Sequence, residues 1–281
     1  MIDNLPKVSV LGIKGRFSWD SQQQLNLISF WANKNYSRFV CCSNVHMFVI
    51  AKKSLEFREN VFTSADLITL DGKPIHWLVE LKSKFYWLIG YSPKYNSRIE
   101  QVCGRDLMHK VLNHAAEESI SVGFYGNSSE NLNKLISNLK SIYPKLNIDF
   151  AYSPPFRPLS QTEKAEITVL INNSKSKIIF VSLGCPKQEY WMAENRANIK
   201  AVTIGVGGAF DILAGVKQRP PFWVQNLGFE WLFRLIQEPK RLFYRNICYS
   251  PQFLFILFLR FCSKFYRHLI SKLRFLIFLS N

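Results

Sequence analysis

Short apolar runs, four to seven residues long, alternate with amphipathic stretches from Val8 to about Gly215. No other feature narrows the fold as much. A strand that is apolar throughout must be buried on both faces, and crossover helices are what cover it. The runs predict strands over Val8–Ile13, Phe39–Ser43, Leu67–Leu70, Ser121–Tyr125, Asn147–Tyr152, Lys177–Leu183 and Ala201–Ile204. The stretches between them predict helices over Ser54–Phe62, Pro74–Lys82, Arg105–Glu117, Ser129–Ser141, Gln161–Asn173 and Lys187–Asn195. Pro74 and Asp106 stand where helix N-termini favour proline and an acid. The expectation is an α/β fold with a Rossmann-like parallel-sheet body over residues 1–216. In such a sheet the loops that leave a strand and open a helix carry the ligand.

Residues 217–281 read differently. They hold eleven basic and two acidic residues, so +9 of the chain's net +16 lies there. After Glu238 the remaining 43 residues contain no acid, eight Lys or Arg and eleven aromatics. Arg260, Lys264, Arg267 and Arg274 fall on one helical stripe, with Phe258, Cys262, Phe265, Leu269, Leu273 and Leu276 opposite. That is the pattern of a helix lying in a bilayer interface against anionic headgroups. The longest uncharged apolar run, Phe253–Leu259, falls short of the roughly 18–20 residues that span hydrocarbon. The segment is therefore expected to be a helical, basic, membrane-associating C-terminal appendage, with an anionic membrane surface as its partner. Nucleic acid is not expected, because the charge is interleaved with Phe and Leu and not set on a polar scaffold. Exposed Trp and Phe here are expected to pair subunits into a homo-oligomer when lipid is absent.

A hydrophobic content of 48% over 281 residues suits one globular body plus this appendage. Six cysteines (Cys41, Cys42, Cys103, Cys185, Cys248, Cys262) show neither CxxC nor metal-ligand spacing, which points to reduced thiols. The opening MIDNLPKVSV lacks the pattern of a secretory signal, so the body is expected to face the cytoplasm.

Five stretches carry chemistry-bearing residues. Leu67–Leu70 ends in Asp71-Gly72-Lys73-Pro74, a strand, a turn and a proline-started helix. Asp71 there either serves as a general base toward a hydroxyl or simply makes the turn. Ser43-Asn44-Val45-His46 follows another strand; the Asn44 amide suits a sugar or base, while His46 suits a helix or the core. Gly184-Cys185-Pro186-Lys187-Gln188-Glu189 opens a helix whose amides suit phosphate or sugar oxygens, and Gln188 offers both donor and acceptor. Gly205-Val206-Gly207-Gly208-Ala209-Phe210-Asp211 offers Gly205, Gly207 and Asp211 as candidate contacts. As a dinucleotide fingerprint it lacks a third glycine, since Phe210 stands in that place. Arg234, Arg241 and Arg245 then recur at near-helical spacing, and arginine forks suit diphosphates as well as lipid or solvent.

Taken together, these stretches resemble the WecG/TagA/CpsF family of glycosyltransferases. The matching pieces are Asn44–His46, Ala65–Gly72, Val102–Leu107, Ser153–Leu159, Gly184–Glu189, Gly205–Asp211 and Gly228–Arg241, in order across residues 8–245. The resemblance implies an inverting bacterial enzyme that needs no metal and no cofactor. It implies transfer of a hexose (N-acetylmannosamine-type or related, such as glucose or mannosaminuronate) from a UDP-sugar donor to a polyprenyl-diphosphate-linked saccharide acceptor. That work takes place at the cytoplasmic face of the inner membrane, where the enzyme is peripheral. The family pattern places the catalytic base at Asp71 and substrate contacts at Asn44, Gln188, Arg234 and Arg241. Departures mark this chain. Cys42 stands where the family has threonine, leaving a hydroxyl contact missing or supplied by Ser43. Gln101 replaces an arginine that Arg98 could supply. Tyr244 holds the place of the last arginine, with Arg245 one residue late. Lys73 brings a cation beside the proposed site. Two rival readings predict other behaviour: an NAD-dependent nucleotide-sugar-modifying enzyme using the Gly205 loop, and a non-enzymatic membrane- or RNA-binding protein using the basic tail.

Overall fold

The computed structural model describes residues 5–88, 100–243 and 248–259. The chain opens with β1 (Val8–Val10) and β2 (Ile13–Gly15), an antiparallel hairpin in which Val10 pairs with Ile13. The single strand expected over Val8–Ile13 is broken because Leu11 and Gly12 both take positive φ, 50° and 76°. Two such residues make the tight turn whose twist matches its strands. β3 (Phe17–Ser18) follows, and Asp20 caps α1 (Ser21–Asn33) by accepting from the backbone N–H groups of Gln22 and Gln23. β4 (Arg38–Ser43) runs straight into α2 (Val45–Lys53). Ser54 ends α2, and the helix predicted over Ser54–Phe62 follows as a helical stretch over 55–62 that is π-helical over Phe57–Phe62, closed by Thr63 N–H donating to the Arg58 carbonyl at 2.7 Å.

β5 (Leu67–Leu70) leads to α3 (Lys73–Leu88) and then α4 (Gly104–Glu117). β6 (Val122–Gly126), α5 (Ser129–Ile142), β7 (Ile148–Tyr152) and α6 (Gln161–Asn173) come next. Ser160 and Glu163 form a reciprocal capping box at the start of α6. β8 (Ile178–Ser182), α7 (Lys187–Asn195), β9 (Val202–Gly205) and α8 (Ala209–Leu213) complete the body. The appendage contributes α9 (Phe222–Asn226), α10 (Glu230–Gln237) and helical segments over 239–243 and 248–259. The basic stripe from Arg260 onward, together with Arg245 and Arg98, lies outside the described residues.

The main sheet is parallel throughout, in the order β3-β5-β4-β9-β8-β6-β7. Its inner strands β5, β4, β9, β8 and β6 are buried on both faces, as their apolar runs require, while the edge strand β7 buries only Phe150. Val40 and Cys42 point into one core with Leu107, Phe124, Phe180 and Phe210. Phe39 and Cys41 point into the other with Met47, Phe48, Ile68 and Trp191. The same period-two division splits Ile178 and Phe180 from Ile179 and Val181. A buried carboxylate ties the amino-terminal ends of β4 and β5 to the end of α7: Asp66 accepts from Phe39 N–H at 3.1 Å and pairs with Arg196 at 2.6 Å.

Gly126 ends β6 at φ 114°, and a Cβ there would lie 2.4 Å from the Ser182 carbonyl oxygen. Ser182 in turn donates its hydroxyl to the Gly207 carbonyl at 2.8 Å, so the contact reaches the loop after β9. Gly126→Ala is expected to destabilise the protein by on the order of 3 kcal/mol, read as a lower urea midpoint.

Candidate active site

A cavity of about 360 Å³ opens at the carboxyl ends of four neighbouring strands, β5, β4, β9 and β8. Ligands of open parallel sheets bind at this end, near the place where the strand order reverses. Each strand sends one loop to its wall. β5 delivers Asp71, whose N–H donates to the Ser43 carbonyl at 2.8 Å and so stays in register with β4. Gly72, at φ 103°, then turns the chain into α3. β4 delivers Cys42 and Asn44; the Asn44 oxygen caps α2 by accepting from Met47 N–H at 3.2 Å, and the same side chain lines the cavity. β8 delivers Leu183–Glu189, the first turn of α7 included, across a cis Cys185–Pro186 peptide. β9 delivers Gly205, Val206, Gly207 and Gly208.

The appendage closes the same cavity with Glu230, Arg234, Arg241 and Leu242. Arg234 reaches across to the β9 loop: a Cβ on Gly208 would sit 2.8 Å from its Nη2. Arg241 is held by Glu238 at 2.6 Å, and Glu238 also accepts from Lys217 at 2.9 Å. Gln225 and Glu230 meet Arg105 of α4 at 3.0 Å and 3.8 Å.

These neighbours set the charge on Asp71. Burial pushes its pKa up to about 7, Glu230 adds to the rise, and Arg234 and Arg105 oppose it. Arg105 itself is buried, which disfavours its charge, but Cys103, Asp106 and Glu230 raise its pKa above the ordinary value. Burial and the nearby Asp71 push the Cys42 thiol up to about 12, so it stays neutral. Ser43 does not stand in for the missing hydroxyl, because its Oγ donates to the Thr69 carbonyl at 2.6 Å within the sheet.

Of the residues singled out from the sequence, Asp71, Asn44, Cys42, Gln188, Gly205, Gly207, Arg234 and Arg241 converge on the cavity wall. Two do not line it. Lys73 packs under the appendage, its Cβ 3.2 Å from where a Cβ on Gly228 would stand. Asp211 turns to a network of its own, accepting from Asn127 at 2.7 Å and pairing with Lys217. His46 lies on α2 with its ring edge-to-face with Tyr249, 4.3 Å between centroids. Cys103, Gly104, Arg105, Glu189 and Glu230 also line the cavity, and the sequence reading assigned them no role. Gly104 allows α4 to start against the β9 loop, where an added Cβ would lie 3.2 Å from the Val206 carbonyl. The Gly205 loop is no dinucleotide fingerprint: Phe210 is fully buried against Phe124, at 5.7 Å between rings, and builds core where a third glycine would admit a pyrophosphate.

The model of the glycosyl transferase WecG/TagA/CpsF family matches residues 8–266. The chain belongs to this family. The match covers the parallel sheet, every wall of the cavity and the described part of the appendage, and it extends beyond the residue 245 reached by motif comparison. The WecG/TagA/CpsF family is a glycosyltransferase family involved in polysaccharide synthesis.

Proposed function

We propose that this protein transfers a hexose, of the N-acetylmannosamine type or related, from a UDP-sugar to a polyprenyl-diphosphate-linked saccharide, inverting the anomeric configuration and using no metal ion. The observation that carries the reading is the Asp71 carboxyl, raised to about 7 in a cavity it shares with Arg105, Arg234 and Arg241; Glu189 on the same wall, raised as far, is engaged by the Gln188 amide. A carboxylate of that pKa is matched to taking a proton near neutral pH. In the proposed step Asp71 accepts the proton of the acceptor hydroxyl as its oxygen bonds to the anomeric carbon. The bond from that carbon to the diphosphate oxygen breaks, and its electron pair leaves with UDP. The arginines and the first-turn amides of α7 supply the positive field that the departing diphosphate needs. Membrane-reconstituted enzyme assayed against a panel of UDP-sugars with a lipid diphosphate-linked sugar acceptor is expected to release UDP and glycosylated lipid, undiminished by chelator. UDP release that requires added manganese would overturn the metal-free mechanism.

The proposed workplace is the cytoplasmic face of a bacterial inner membrane. Among the described residues no helix is long and apolar enough to cross a bilayer. The appendage instead leaves apolar side chains in solvent: Phe222, Trp223 and Ile236 are 74%, 65% and 73% exposed, and α10 buries none of its residues. Such a surface rimmed with cations suits an anionic bilayer. Residues 260–281 add Arg260, Lys264, Arg267, Lys272 and Arg274, each worth about 1 kcal/mol near anionic lipid. Deleting 260–281 leaves Phe253 seated in the core and is expected to move the protein from the floating to the soluble fraction with anionic vesicles. Unchanged flotation would refute the role given to that segment.

A further inference from the structure

Gln188 and Glu189 are neighbours on the cavity wall, 4% and 0% exposed. The Gln188 amide nitrogen donates to Glu189 Oε1 at 2.7 Å. Above about pH 7 the Glu189 carboxylate is ionised and only accepts, so there it is the nitrogen end of the amide that faces it. The other end, Gln188 Oε1, is a buried acceptor with no hydrogen-bond partner among the described residues, as is the second carboxylate oxygen, Glu189 Oε2. Buried acceptors without partners are rare in native proteins, and one on a ligand cavity is explained by a donor the ligand brings. The amide is also confined from behind. A Cβ on Gly205 would lie 3.0 Å from Gln188 Nε2 and 2.7 Å from Met192 Cε, and one on Gly207 3.7 Å from Gln188 Oε1.

We infer that Glu189 is a positioning residue that turns the Gln188 amide so that its oxygen, and not its nitrogen, is offered to a hydrogen-bond-donating group of the sugar nucleotide. The inference rests on the function proposed above and adds to it the sense of one contact. The group recognised is a hydroxyl or an N–H, either on the uracil or on the sugar. Burial pushes the Glu189 carboxyl up to about 7, and the bonds from Gln188, from its own backbone and from Cys185 favour its ionised, accepting form.

A double-mutant cycle on the full chain tests this, with UDP and UDP-N-acetylmannosamine titrated calorimetrically into wild type, Glu189→Met, Gln188→Met and the double variant. Glu189→Met is expected to weaken binding about tenfold in the wild-type background. In the Gln188→Met background the same change is expected to cost less than about twofold, because Glu189 acts through an amide no longer there. A penalty already present with UDP places the donor group on the nucleotide; one present only with the sugar nucleotide places it on the sugar. Melting temperatures recorded alongside identify a variant that fails to fold. Glu189→Gln, which keeps the shape and lets the pair bond in either sense, then serves with an expected loss of about twofold. Equal penalties in both backgrounds, or none in either, overturn the assignment while the functional reading stands. Wild-type protein that binds neither ligand overturns both.

Discussion

Replacing Asp71 by asparagine is expected to lower kcat by about 10²–10⁴-fold with the protein still folded. Asparagine keeps the size of the side chain and its place at the end of β5, and removes the group proposed to take the proton. The wild-type rate is expected to rise with pH through about 7, because Asp71 must be ionised to accept a proton and its pKa is raised to that value. The residual rate of the variant should lack that limb. Stability should move the other way. The fold holds the Asp71 proton up to about pH 7, whereas the ordinary value for the unfolded chain is 3.8. Across that window the native state binds more protons, so stability falls as pH rises and levels off above about 7. Glu189, also raised to about 7, contributes a decline of the same sign, so Asp71→Asn should lessen the slope without abolishing it. Denaturant midpoints at about pH 5 and about pH 8 measure this. A folded Asp71→Asn protein with near-wild-type turnover would remove Asp71 from the mechanism.

Arg234→Ala is expected to cost about 10²–10³-fold in kcat, the usual penalty for losing one preorganised donor to a developing negative charge. Arg234 is placed for that role by its seat over Gly208 and its position on the cavity wall. It also opposes the rise in the Asp71 pKa. The alanine variant should therefore show its pH limb displaced upward, whereas Arg234→Lys should keep the limb near its wild-type position. Lysine restores the charge without the planar fork, so its rate should recover only in part. An unshifted limb in Arg234→Ala would separate this arginine from Asp71.

Much of this was readable from residue order alone, and the failures have physical causes. Strands such as Leu67–Leu70 and Ile178–Ser182 were legible because a run buried on both faces has no polar interruption. The start of α2 was not. Val45-His46-Met47-Phe48-Val49-Ile50 continues the apolar run of β4, and periodicity cannot separate a buried helix from a strand there. α1 was hidden by Gln22, Gln23 and Gln24, although Asp20 as a cap and Leu27, Ile28, Trp31 and Ala32 at helical spacing were present. Within the site, Asp71, Gln188 and Arg234 stand in loops or helix turns whose sequence shows their exposure to the crevice. Arg105 and Glu230 lie 125 positions apart, and only the docking of α10 on α4 reveals them as neighbours. Asp211 looked like a contact because it closes a glycine loop; Lys217, six residues on, satisfies it instead.

The described residues 248–259 of the appendage do not dangle. Tyr249 leans on His46, and Phe253, 3% exposed, sits in the cluster that includes Phe48 and Met47 of α2. α2 is the helix capped by Asn44, so residues 248–259, which lead into the segment proposed to rest on lipid, brace one wall of the cavity. On the membrane reading proposed above, anchorage and turnover would share a mechanical link: protein lifted off a bilayer would have a differently supported cavity, and rates measured in free solution would not stand for rates at the lipid surface.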